Sequence, residues 1–227
     1  MTIFRCSILV AILLTGASTA QSNAAADANL RMAAKAALGG LEIRQKNTPG
    51  PGETTVTKAA RLLQLPLGPV LITEVNIENG SHAEVGGLGV YYLKRIGARY
   101  IVRKKWPSAV EGGGFGFAPE WSVTRRFTTY PALYATAGWT GQGCTTGWAI
   151  IAELAPSGPL VSDAIHTSFS DRGVGSGRVA EYSGRIRNIR KGSSFDVAAS
   201  GTDHFVEHYH SRQGRFVLVE QESRLEC

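Results

Sequence analysis

The sequence predicts an all-β protein built from antiparallel strands, preceded by a short helical or irregular N-terminal segment. Three observations carry this. From about residue 68, short segments rich in Val, Ile, Tyr, Phe and Trp alternate with glycine-rich turns. Three tetrapeptides have hairpin chemistry: Arg95-Ile96-Gly97-Ala98, Pro156-Ser157-Gly158-Pro159 and Arg212-Gln213-Gly214-Arg215. And features recur at an offset of 61 residues: Gly97 and Gly158, Glu120-Trp121-Ser122 and Glu181-Tyr182-Ser183, with several further glycines.

In chain order, residues 1–20 read as a secretory leader. Arg5 precedes the apolar run Ile8–Leu14, and Ser18 and Ala20 stand where a signal peptidase reads. That run is too short to span a bilayer, so the protein is not expected to be an integral membrane protein. Cleavage after Ala20 leaves 207 residues, a leaderless net charge of +5 (23 basic against 18 acidic residues) and two cysteines. Residues 21–67 read as an extension and linker. Asp27 is placed to cap a short helix, ANLRMAAKAAL, that Gly39-Gly40 would stop. KNTPGPGE, 46–53, reads as a turn or linker, and TTVTKAARLLQLP fits a strand or a short helix equally well.

Residues 68–227 form the expected β domain. Strands are read near 70–77, 88–95, 99–106, 121–128, 131–137, 147–154, 160–168, 182–189, 195–199, 204–211 and 215–222. About three repeated hairpin or four-strand units would form a sandwich or a propeller-like array. Closed propellers need about four to eight blades, which favours the sandwich. The five aspartates, at 27, 163, 171, 196 and 203, form no Asp-x-Asp calcium loop.

Cys144 and Cys227 are expected to form one disulfide in an oxidising compartment, periplasmic or secreted. Six of the twelve residues from Lys94 to Lys105 are basic: Lys94, Arg95, Arg99, Arg103, Lys104 and Lys105. Arg185, Arg187, Arg190 and Lys191 make a second set. Such clusters either attract an anionic surface or simply solvate a strand face. Export excludes nucleic acid as the natural partner.

The segment His204-Phe205-Val206-Glu207-His208 spells the HxxEH zinc-peptidase motif. That motif needs a helix, which alone brings positions i and i+4 onto one face. Here the context is aromatic, β-branched and bisected by Gln213-Gly214, which is a hairpin. On a strand His204, Val206, His208 and His210 face one way; Phe205, Glu207 and Tyr209 face the other. Glu207 then cannot act as base beside the histidines. His208-x-His210 would still hold zinc or copper if His82, His166, Asp163 or Asp203 supplied a third ligand. Otherwise no cofactor is expected.

Two glycine-aromatic stretches remain, AVEGGGFGFAPEW (109–121) and GWTGQGCTTGW (138–148). Their Phe115, Phe117, Trp121 and Trp139 are candidate ligand contacts, flanked by the basic strands. Gly173-Val174-Gly175-Ser176-Gly177 lacks the spacing of a serine nucleophile elbow. The reading that follows is an exported, non-enzymatic binding module for an envelope protein, a glycan or an anionic surface. The alternatives are a metal-assisted hydrolase at the 204–210 strand and an inhibitor of an envelope lytic enzyme.

Overall fold

The computed structural model describes residues 16–46, 53–112, 114–172 and 179–227, with helix side chains from Ala24 onward. Most of the expected leader, the expected glycine-proline linker and the Gly173–Gly177 stretch lie outside these residues. The chain forms two antiparallel sheets packed as a sandwich, with one helix outside.

The helix, α1, spans Gly16–Leu38. It is longer than the sequence reading expects, and Asp27 lies inside it rather than at its cap. No glycine or proline interrupts residues 17–38, and alanine is the strongest helix former, so nothing stops the helix from extending upstream. Its end is where expected: Gly39 takes φ 83° and donates its N–H to the Lys35 carbonyl at 3.1 Å.

The first sheet is a simple meander of β1 (Glu42–Lys46), β2 (Thr54–Leu65), β3 (Gly68–Glu78), β4 (Gly87–Ile96) and β5 (Arg99–Glu111). Residues 42–46 and 54–65 therefore belong to the β fold rather than to a linker. TTVTKAARLLQLP resolves as strand, because β2 pairs with β3 along nearly its whole length. The second sheet holds β6 (Glu120–Thr124), β7 (Ala132–Gly141), β8 (Cys144–Ala155), β10 (Ile165–Ser170), β11 (Glu181–Arg190), β12 (Ser194–Gly201), β13 (His204–Arg212) and β14 (Arg215–Leu218), in that spatial order. The short β9 (Gly158–Val161) lies beside β8, in line with β10.

All three expected hairpins form, at Ile96–Arg99, Ala155–Gly158 and Arg212–Arg215. A fourth joins Gly141 to Cys144 through Gln142-Gly143. It has the same Gln-Gly chemistry as Gln213-Gly214, and both pairs carry positive φ. Two expected strands end differently. The 160–168 strand breaks into β9 and β10, because Ser162 bonds Ile151 through both backbone and hydroxyl while Asp163 N–H turns to the Phe216 carbonyl. The 121–128 strand stops at Thr124, and the chain folds inward to bury Phe127.

Three apolar clusters explain the layering. Leu63, Val70, Ile72, Leu88 and Val90 of the first sheet meet Leu133, Ala135, Ile150 and Leu154 of the second. On the other face of the first sheet, Leu71, Tyr91, Leu93 and Tyr100 pack under Ala33 and Ala34 of α1. Both alanines are fully buried, and their small size lets the helix sit close. The N-terminal segment is thus part of the core. The second sheet curls over, so that Phe195, Val197, Tyr209 and Phe216 face Ala149 and Ile151. Strand β8 is consequently buried on both faces, which is why WAIIAELA is an unbroken small-and-apolar run with a single buried carboxylate, Glu153.

Candidate functional site

Strand β13 settles the geometry of HFVEHYH. The strand pairs in register with β12, and its burial alternates as a strand requires: Glu207 and Tyr209 are buried, His204 and His208 exposed. A helical HxxEH site does not exist here. Glu207 instead points into the protein, 2% exposed, where it accepts hydrogen bonds from the Ser223 hydroxyl and the Arg224 N–H at 2.9 and 2.7 Å. It clamps the C-terminal segment. That segment also buries Leu225 completely, places Arg224 over the Phe205 ring, and ends in the Cys144–Cys227 disulfide, with Cα atoms 6.1 Å apart. The disulfide is consistent with an oxidising, exported compartment.

On the outer face, His208 pairs directly across the hairpin with Asp196, Nδ1 to Oδ1 at 2.9 Å. Asp196 also accepts a bond from Asn188 Nδ2 at 2.7 Å. The Asn188 bond first, then the His208 bond, holds the Asp196 carboxyl below its ordinary value. Sequence reasoning proposed four partners for His208 and missed this one. The signal was available: β12 and β13 are joined across Thr202-Asp203, which fixes Asp196 opposite His208. Of the four proposed ligands, Asp163 pairs with Arg215 and Asp203 with Arg224. His82 sits beside Phe115, and His166 is buried against Trp148. Among the described residues no group of three or more His, Cys, Asp or Glu side chains could hold a metal ion. His208 and His210 therefore gain no third ligand there.

His166 belongs to the interior. Its Nδ1 lies 3.1 Å from the Thr146 hydroxyl, which itself donates to the Leu225 carbonyl at 2.8 Å. Burial lowers the His166 pKa; Glu226 and Glu207 oppose this but do not cancel it. Below about pH 6.5 the unfolded histidine takes up a proton that the folded one refuses. Stability should therefore fall as pH drops below about 6.5, until the depressed folded pKa is passed. Thermal melts between pH 7.5 and 5 would check this; the His166→Gln variant should flatten the slope.

The aromatic candidates separate into two kinds. Trp121 is half-buried, packs on the inter-sheet core, and donates its indole N–H to Glu74 Oε1 at 2.8 Å. Trp139 is also half-buried and lies across its own hairpin, over Gly141. These two are structural as much as available. Phe115 and Phe117 differ: they are 57% and 64% exposed. Their loop is nevertheless pinned. Gly116 N–H donates to the Glu84 carbonyl, and Ala118 N–H to Asn76 Oδ1, each at 2.9 Å. Gly86 packs so close that a Cβ there would lie 2.2 Å from the Phe117 carbonyl. Phe115 itself adopts φ 61°, uncommon for a side chain of its size.

The six basic residues at 94–105 are all exposed, and none joins an ion pair among the described residues. The sequence reading expects them to flank the aromatic loop, and they do not. The β4–β5 register sets Gly87 opposite Glu111 at the loop end and Ile96 opposite Arg99 at the other. At about 3.3 Å per residue, Arg103 stands roughly 25 Å along β5 from Glu111.

No family model, no curated protein and no solved structure matches the chain. What it does follows from its own side chains. Among the described residues no helix is long and apolar enough to cross a membrane.

Proposed function

We propose that the protein is an exported, non-enzymatic binding module that engages an envelope protein through Phe115 and Phe117. One observation carries this: two phenylalanines stand more than half exposed on a loop whose backbone is tied down. Exposed rings on a slack loop would fold back onto the surface. Here the bonds from Gly116 and Ala118 hold the loop up, and the unusual Phe115 backbone is tolerated to do so. Preorganisation of this kind lowers the cost of binding. Val85, itself 48% exposed, follows Glu84, whose carbonyl holds the loop at Gly116. A projecting pair suits a pocketed protein surface better than a small ligand, which needs a concavity.

Burying two phenylalanines is worth about 1.5–3 kcal/mol each. The Phe115→Ser/Phe117→Ser double variant should therefore bind its partner at least about 100-fold more weakly, with an unchanged melting temperature. The measurement is affinity capture from native envelope extract, then titration of each purified partner against both proteins. A pinned projecting loop is also what an inhibitor of a lytic enzyme presents, so lysozymes are the first purified partners to titrate. Partners that bind wild type and double variant equally would overturn the reading.

A further inference from the structure

A groove of about 480 Å³ opens at the far end of the sandwich from the aromatic loop, where the β4–β5 hairpin overhangs the β8–β9 turn. Lys94, Arg95, Arg103 and Lys104 line it, and no carboxylate does. Leu67, Pro69 and Pro156 supply apolar wall.

The strand is built to deliver these charges. In a regular strand neighbouring side chains point to opposite faces, so Arg103 and Lys104 should diverge. The register shifts between Tyr92 and Leu93: Leu93 pairs with Val102 and Tyr92 with Lys104, leaving Arg103 as an extra residue. This β-bulge turns both cations into one groove, the kind of re-aiming that bulges perform beside functional sites. Two of the cations are oriented without being neutralised. Lys104 Nζ donates to the Ser157 carbonyl and Arg95 Nε to the Gly97 carbonyl, each at 3.1 Å. Lysines that merely guard a sheet edge need only point into solvent. Lys94, Arg103 and Lys104 share the Tyr92 side of the sheet without an acid among them, while Arg95, next along β4, lies over Tyr100 on the α1 side. Three cations gathered in this way ask for a multiply charged anion.

We propose that this groove is a binding site for a phosphate-bearing anion. The Arg103 guanidinium can grip a phosphate through paired N–H bonds, Lys94 and Lys104 add point charge, and the apolar wall accepts the body that carries the phosphate. That body is a soluble molecule or a lipid whose headgroup is offered at a membrane surface. The site is independent of the Phe115–Phe117 loop.

The test uses two probes at low salt. Inorganic pyrophosphate is titrated by calorimetry, and vesicles of phosphatidylglycerol in phosphatidylcholine are tested by co-sedimentation. Three proteins are compared: wild type, Arg103→Ala/Lys104→Ala, and Arg185→Ala/Arg187→Ala, which removes the same charge elsewhere. Binding of either probe should weaken at least tenfold in the first variant and less than about twofold in the second. Pyrophosphate binding identifies a soluble phosphate; vesicle binding alone identifies a headgroup. Equal loss in both variants would reduce the effect to net charge and overturn the site, as would no binding of either probe by wild type. The Phe115→Ser/Phe117→Ser variant should bind both probes normally, so this site and the aromatic loop fail or stand separately.

Discussion

Replacing Cys144 and Cys227 together by serine should cost about 4–5 kcal/mol of stability in the chain-entropy account of cross-links. The bond joins residues 83 apart, from the start of β8 to the last residue, so it removes a large part of the unfolded chain's freedom. Against a typical net stability of about 5–15 kcal/mol this is a major share. Urea unfolding of wild type and of the double serine variant measures it directly, and reductant added to wild type should reproduce the loss. A difference below about 1 kcal/mol would mean that the tail's non-covalent contacts already fix it in place. Those contacts are Leu225 in the second cluster, the Glu207 clamp and the Arg224–Asp203 ion pair.

The clamp itself carries the second large expectation. Glu207→Ala should destabilise by about 3 kcal/mol, because it removes the charged acceptor of two part-buried donors, the Ser223 hydroxyl and the Arg224 N–H. Glu207→Gln keeps an acceptor oxygen and should cost about 1 kcal/mol. Neighbouring Tyr209 reports on the same pocket: burial first, and the Glu207 charge second, push its hydroxyl pKa well up. Removing the Glu207 charge should bring that pKa down, which ultraviolet titration of tyrosine would detect. Hydrogen exchange should also quicken across 219–227 in the alanine variant. An alanine variant as stable as wild type, with an equally protected tail, would show that the carboxylate is not what holds it.

These two residues show where reading the sequence succeeds. With Cys6 assigned to the expected leader, two cysteines remain, and Cys144–Cys227 follows from counting. Strand alternation alone puts Glu207 on the face opposite His208, and the fold makes that face the inner one. The hairpins at Gly97-Ala98, Pro156-Ser157 and Gln213-Gly214 were legible because turn chemistry is local. The helix was only half legible. Its stop at Gly39 is local, but its packing on Leu71 and Tyr91 is not, and without that contact an alanine-rich segment looks peripheral.

The candidate sites divide the same way. Composition marks Phe115 and Phe117, yet nothing in their neighbourhood distinguishes them from Trp121, which spends its indole on Glu74 of another sheet. The six cations at 94–105 are plain in the sequence, but their distance from the aromatic loop depends on the β4–β5 register. Their convergence depends on one extra residue in β5 and on a turn that arrives from the second sheet.

Legible from residues alone were the all-β class, most strands beyond residue 68, three tight turns, the disulfide pair and the strand geometry that removes the peptidase motif. All of these rest on interactions within a few residues, or on a count with one solution. The curl of the second sheet, the burial of α1 and which aromatics and cations are free to bind came only with the tertiary structure. Those depend on residues far apart in the chain meeting across sheets. Hydrophobic periodicity says which face of a strand is buried, but not against what.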